Sequence, residues 1–212
     1  MIKTRKRKFY FLVGFVTFLI LILSIFVYVM MPRGIPISFS SEKQETLFQI
    51  VKDGDIICRL GDRAWSQHFR NISIADRRFS HMGIIRVNNG MITVIHAEGD
   101  IGRENDFVRE ESLADFIKHA RAIGIYRIND IDASQISKFA IEYLGMPFDW
   151  RFDKQDNTSM YCTELLYVIL RRIAPEMELK TIYVRMLGRY VIPLEAISNS
   201  EKFTEIYLIY GG

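Results

Sequence analysis

Between Phe9 and Met31 the chain runs for 23 residues without a single charge. Few folds can hold such a run. As one helix it is long enough to cross about 30 Å of hydrocarbon. Lys3, Arg5, Lys6, Arg7 and Lys8 stand just before it, and basic flanks stay on the cytoplasmic side. The N-terminus is therefore predicted inside and everything after Pro32 outside. A cleaved signal peptide is the alternative, but its apolar core is shorter and ends in small residues. Here the end reads Phe26-Val27-Tyr28-Val29-Met30-Met31. The reading is a single-pass anchor of the bacterial inner membrane. Residues 1–32 form a cytoplasmic tail and signal anchor, and residues 33–212 an extracytoplasmic or periplasmic domain.

The 212-residue length leaves room for one domain beyond that anchor. Hydrophobic residues make up 49% of the chain, and the anchor accounts for the excess. The net charge of +3 comes from the basic N-terminus, so no nucleic-acid partner is implied. Cys58 and Cys162 are the two cysteines. They form no disulfide framework, and no Cys/His pair has zinc-site spacing. Neither a metal nor a cofactor is predicted. A single Cys58–Cys162 bridge stays open in an oxidising compartment.

After a linker at Arg33-Gly34-Ile35-Pro36, residues 42–52 predict a short amphipathic helix. Ile56 to Leu60 predicts a buried strand. Residues 63–76 predict a short helix and loop. Phe79 to Val87 and Met91 to Ala97 predict a hairpin about Asn88-Asn89-Gly90. Residues 107–119 predict a strand end and a helix capped by Ser112, with Glu111 and Asp115 in or near its first turn. Arg121 to Ile128 predicts a strand, and Asp132 to Leu144 a helix. An aromatic, then polar, loop follows over residues 148–160. A helix is predicted over residues 161–173, another helix start at Pro193-Leu194-Glu195-Ala196, and a last strand from Thr204 to Tyr210. Antiparallel neighbours with helices on one side read as α+β.

Cys162 falls at the apparent start of the helix over residues 161–173. A helix N-terminus favours thiolate over thiol, which is where a nucleophilic cysteine belongs. The plainer reading is a small apolar residue beneath a helix. A base has to come from elsewhere, and the hairpin offers one. A two-residue loop at Asn88-Asn89 sets His81 opposite His96. A loop at Asn89-Gly90 sets His81 opposite Glu98. Either register puts all three on one side of the sheet. Directly opposed residues have Cβ atoms about 5 Å apart, close enough for side-chain hydrogen bonds. Nucleophile, base and orienting group are the parts of a cysteine hydrolase. Two ordinary strand histidines are the alternative.

Gly54-Asp55-Ile56-Ile57, Ser80-His81-Met82-Gly83-Ile84, Val94-Ile95-His96-Ala97 and Tyr161-Cys162-Thr163-Glu164-Leu165 occur in that order. Together they resemble the YiiX/YebB-like, circularly permuted branch of the NlpC-type papain-like cysteine hydrolases, over roughly residues 50–210. Phe148-Asp149 fits the aromatic-Asp segment of that branch. The resemblance implies a permuted papain-like fold, with an antiparallel sheet packed against helices. It implies Cys162 as nucleophile, His81 as base and His96 at the third polar position. Many relatives carry Glu at that third position. Histidine there is similar to the lecithin:retinol acyltransferase-like proteins. Glu98 is the reserve orienter, with a solvated charge at a strand end as its simpler reading. Tyr161, or the main-chain N–H of Cys162, is the candidate for oxyanion binding. Glu164 and Asp55 read as structural, and Cys58 as inert.

The function expected from this resemblance is a membrane-anchored cysteine hydrolase acting through a thioacyl-enzyme. Its expected partner is a cell-wall peptide, cleaved at an amide. An acyl lipid, hydrolysed or transferred at the same site, is the second substrate. A module that binds peptide or lipid without cleaving it is the rival.

Overall fold

A computed structural model describes residues 2–31, 34–38, 40–99 and 106–210. The first helix, α1, covers Ile2–Met30. Within it Tyr10–Tyr28 is long and apolar enough to cross a membrane, and its side chains pack against no core. The boundary at residues 32 and 33, and Arg33 of the linker, lie outside the described residues. The N-terminal segment meets the rest of the molecule where α1 touches the helix Ala64–Arg70, where Gly34 lies against the Arg121 side chain, and at Ile37, whose N–H donates to the Ala120 carbonyl at 2.7 Å.

The strands are β1 (Ile56–Gly61), β2 (His81–Asn88), β3 (Met91–Ala97), β4 (Val108–Ser112), β5 (Ala120–Ile128) and, late in the chain, β8 (Phe203–Tyr210). They form one sheet in the order β4-β3-β2-β1-β5-β8, with every neighbouring pair antiparallel. A separate two-stranded hairpin joins β6 (Ile182–Val184) to β7 (Arg189–Val191). The sequence reading left residues 174–192 without an element, so this hairpin is an addition.

The helices are α2 (Ser41–Ile50), α3 (Ala64–Arg70), α4 (Leu113–Ile117), α5 (Ser134–Ala140), α6 (Cys162–Ile173) and α7 (Glu195–Ser198). The helix expected to reach Leu144 ends its α-helical part at Ala140 and continues as a 3₁₀ turn, Ile141–Tyr143. Helices cover both faces of the sheet, where one covered face was expected. On one face Ile56, Cys58, Met82, Ile84 and Ile95 pack with α5 and α6. On the other, Ile57, Ile85, Val94, Ile123 and Ile125 pack with Leu47 of α2 and with Leu113 and Phe116 of α4. The reason lies in β1 and β5. Their apolar residues run continuously rather than alternating, so both faces need cover.

Helix α6 is held hard against its face. Leu165, Leu166, Ile169 and Leu170 are fully buried, at spacings that draw one apolar stripe along the helix. Each contributes about 1.5–3 kcal/mol of burial. Its start is fixed by a capping box, in which a carboxyl oxygen of Glu164, a group that burial pushes up to about 8, accepts the Tyr161 N–H at 3.3 Å. The loop before it is pinned by Asp149, whose buried carboxylate accepts the N–H of Arg151 at 2.8 Å and that of Asp153. These local bonds set where residue 162 sits.

Candidate active site

The turn between β2 and β3 decides which residues meet. Asn88 pairs with Met91 and Ile84 with Ile95. The loop is therefore Asn89-Gly90, the second of the two registers expected. Both loop residues have positive φ, 49° and 79°, as a type I′ hairpin turn requires. Continued along the strands, this register sets His81 opposite Glu98 and His96 opposite Gly83. The two imidazoles still touch. His81 Nε2 lies 2.8 Å from His96 Nδ1, and the absent side chain at Gly83 leaves His96 room to lean.

The other ring nitrogen, His96 Nε2, lies 3.1 Å from a Glu111 carboxylate oxygen. The tautomers are assigned from that contact, which is shorter than the 3.5 Å from Arg109 Nε to the same nitrogen. His96 donates from Nε2 to Glu111 and accepts at Nδ1 from the Nε2–H of His81. That leaves Nδ1 of His81 as the acceptor at the head of the chain. Glu111 sits on β4, one residue before the Ser112 cap of α4, near the helix start as the sequence reading expected. Phe116 of α4 closes over both rings, stacked on His81 at 5.8 Å and edge-on to His96 at 5.1 Å between centroids.

Glu98 is no solvated strand-end charge. Its side chain is 18% exposed and lies 2.8 Å from Arg59, with Arg109 at 3.3 Å and His96 Nδ1 at 3.4 Å. Burial pushes its carboxyl up, but Arg59, His81, His96 and Arg109 outweigh burial and hold it far below the usual carboxylate range. Burial raises Glu111 too, and the hydrogen bond from His96 more than reverses it. Burial drives His81 well below 6.5, opposed by Glu98 and assisted by Arg59. His81 is a neutral imidazole at neutral pH.

Cys162 is the first residue of α6. The β2–β3 ladder stops at Ile84↔Ile95, whereas β1–β2 continues to Arg59↔His81 and β3–β4 to Ala97↔Val108. The sulfur sits near this split, where the Met82 N–H acts on it along with the N–H groups of Thr163 and Cys162. These donors favour thiolate, as expected of a helix start. Burial nonetheless wins and pushes the thiol up to about 11, so its resting form is the protonated thiol. Cys58 is fully buried, with its thiol raised well above the usual range by burial, and both cysteines are free.

Cys162 and His81 line one cavity of about 230 Å³, together with Arg59, Glu98, Arg109 and His119. Tyr161 stands apart from it. Its hydroxyl, 3.1 Å from Ile192 N, accepts that N–H, and its ring packs on Phe152 at 5.0 Å. The structure thus brings Cys162, His81, His96 and Glu98 together and leaves Tyr161 in the packing beside them.

The sequence model of the permuted papain-like amidase family, YaeF/YiiX, C92, matches residues 50–202. The chain belongs to this family. Its members are papain-like amidases, so the enzyme class of this C92 chain is cysteine hydrolase. Among solved structures it is similar to one titled as the metalloprotein yiiX from Escherichia coli O157:H7. That match has a TM-score of 0.64 and 16% identity, and covers 76% of this chain and 99% of the other. At that identity the likeness shows a common fold. No curated protein matches the chain.

Four residues around the candidate site were given no site role by the sequence reading: Arg59, Arg109, Glu111 and Phe116. Arg59 faces His81 across β1–β2, and Arg109 faces His96 across β3–β4. The alternation of Arg109 and Glu111 along one strand was the available signal, because it puts both on one face. What joins β4 to β3 is long-range pairing, which no local pattern reveals.

Proposed function

We propose that this chain is a membrane-anchored amidase that cleaves a peptide amide, with peptidoglycan peptide as the substrate, through a thioester on Cys162. The observation that carries the reading is the hydrogen-bonded series His81–His96–Glu111, whose free end shares a cavity with the thiol. His81 accepts the thiol proton at Nδ1 as sulfur attacks the carbonyl carbon. The imidazolium is stabilised through His96 by Glu111, and by the field of Glu98. The main-chain N–H groups of Met82, Thr163 and Cys162, which act on the sulfur, are the candidate donors for the oxyanion. His81 then delivers its proton to the departing amine as the C–N bond breaks. Water, deprotonated by the same histidine, hydrolyses the thioester and restores the thiol.

The test is acyl-enzyme formation. A thiol-directed electrophile is expected to label Cys162 faster than Cys58, and His81→Asn to slow that labelling about 10²–10⁴-fold, the usual worth of a positioned base. Equal labelling of both thiols, or indifference to His81→Asn, rules the dyad out.

One contact set favours a second reading. The yiiX structure is titled a metalloprotein, and here His81, His96 and Glu98 bring ligand atoms within 4.8 Å of one another. The surroundings do not fit a resident cation. Both Glu98 oxygens are taken by Arg59, at 3.0 and 2.8 Å, and Arg109 adds a second fixed positive charge. A dication would face two guanidinium groups across a carboxylate they already neutralise. Treatment with EDTA is expected to leave turnover unchanged, and loss of turnover restored by Zn²⁺ would establish the metal reading instead.

A further inference from the structure

The sulfur of Cys162 lies on the seam between two unlike spaces. One is the charged basin just described, which His81 borders. The other is an apolar groove of about 30 Å³, bordered by Ile72, Tyr161, Val191, Ile192 and Leu194. Phe69 and Phe152 wall both spaces, and His81 borders the basin alone. This asymmetry orients a substrate. The group that protonates the leaving atom must stand on the leaving-group side. The leaving amine or alcohol therefore departs into the basin, and the acyl side chain is left to the groove.

We propose that the acyl half of the substrate carries a short apolar side chain, two or three carbons at most, seated in the groove beside Ile72 and Leu194. This rests on the cysteine-hydrolase reading and narrows its substrate class. A water-sized group needs about 10–15 Å³ of such volume, so a groove of about 30 Å³ takes roughly two heavy atoms. An alanyl-sized acyl group fits and a fatty acyl chain does not. In the reaction the S–C bond forms as the C–N or C–O bond breaks. The thiol proton passes through His81 to the leaving atom, and water later cleaves the thioester to a carboxylic acid and free thiol.

The test uses the full chain in detergent and p-nitrophenyl esters that share one leaving group: acetate, propionate, butyrate and octanoate. Acylation of Cys162 is followed by intact mass and by p-nitrophenol release. The rate is expected to peak at propionate or butyrate and to fall at least about tenfold by octanoate, the scale on which apolar pockets discriminate methylenes. Ile72→Ala, which enlarges the groove, should move the peak to longer chains. Ile72→Trp, which fills it, should lower the propionate-to-acetate ratio about fivefold or more. A rate that climbs through octanoate, or a length profile indifferent to both variants, overturns the groove assignment while leaving the nucleophile intact. If no ester acylates wild-type Cys162 faster than it acylates the His81→Asn protein, the hydrolase reading itself fails and this inference falls with it.

Discussion

At the level of single residues the site is a neutral pair rather than an ion pair. Burial lifts the Cys162 thiol to about 11 and drives the His81 imidazole well below 6.5. The reactive protonation state is thiol plus free imidazole. The acid limb of kcat/KM is therefore expected well below pH 6.5, with a plateau running through neutral into alkaline solution. A rate profile whose acid limb lies at or above pH 6.5 refutes the neutral pair. The same shift acts on stability. The unfolded chain protonates His81 first, so the stability tied to the neutral ring is whole above pH 6.5. It is lost as pH falls from 6.5 toward the lower folded value. His81→Asn should flatten the urea midpoint across that window. Cys162, His81 and His96 were legible in the sequence through the order of motifs that carries the resemblance, while the period of two added only which face the hairpin residues share. The protonation states were not, because they depend on what the sheet and α4 bury.

Among the elements, α4 contributes more to the site than its five residues suggest. Phe116 contacts both imidazoles, and Arg59 lies over its ring at 4.3 Å while donating to its carbonyl at 2.6 Å. One side chain thus fixes the planes of two rings and the head of the guanidinium that holds Glu98. Phe116→Ala should cost about 3–5 kcal/mol of stability, as large buried aromatics do. Phe116→Leu keeps most of the volume but not the flat face. It is expected to lower kcat several-fold with KM little changed, since the rings would tilt without touching the substrate groove. A Phe116→Leu enzyme with wild-type kcat would reduce this residue to packing. The sequence located α4 through its Ser112 cap, which accepts the Asp115 N–H at 3.0 Å. It could not say that the helix turns back over the histidines. The β6–β7 hairpin did leave a local signal, a four-residue loop ending in Gly188 at φ 68°. Its strands are three residues each, too short for alternation to stand out.

For the molecule as a whole, α1 touches the domain at α3 without joining either core. Among the described residues the two core clusters contain none earlier than Ile37, and the family match begins only at residue 50. The described side chains of α1 from Tyr10 to Tyr28 are solvent-facing, as lipid-facing side chains would be. Hydrophobic burial is what folds the domain, and the described side chains from Tyr10 to Tyr28 supply none of it. A chain starting at Gly34 keeps the Ile37–Ala120 contact that ties the first segment to β5. It should fold to the same urea midpoint and turn over a small soluble ester at the full chain's rate. The full chain should instead sediment with membranes and resist carbonate extraction, as a spanning helix does and a surface contact does not. Two results would break this picture in different places. Release of the full chain by carbonate removes the anchor, and loss of folding in the shortened chain makes α1 part of the domain. With both expectations met, the one task left to α1 is to hold a self-sufficient hydrolase at a bilayer.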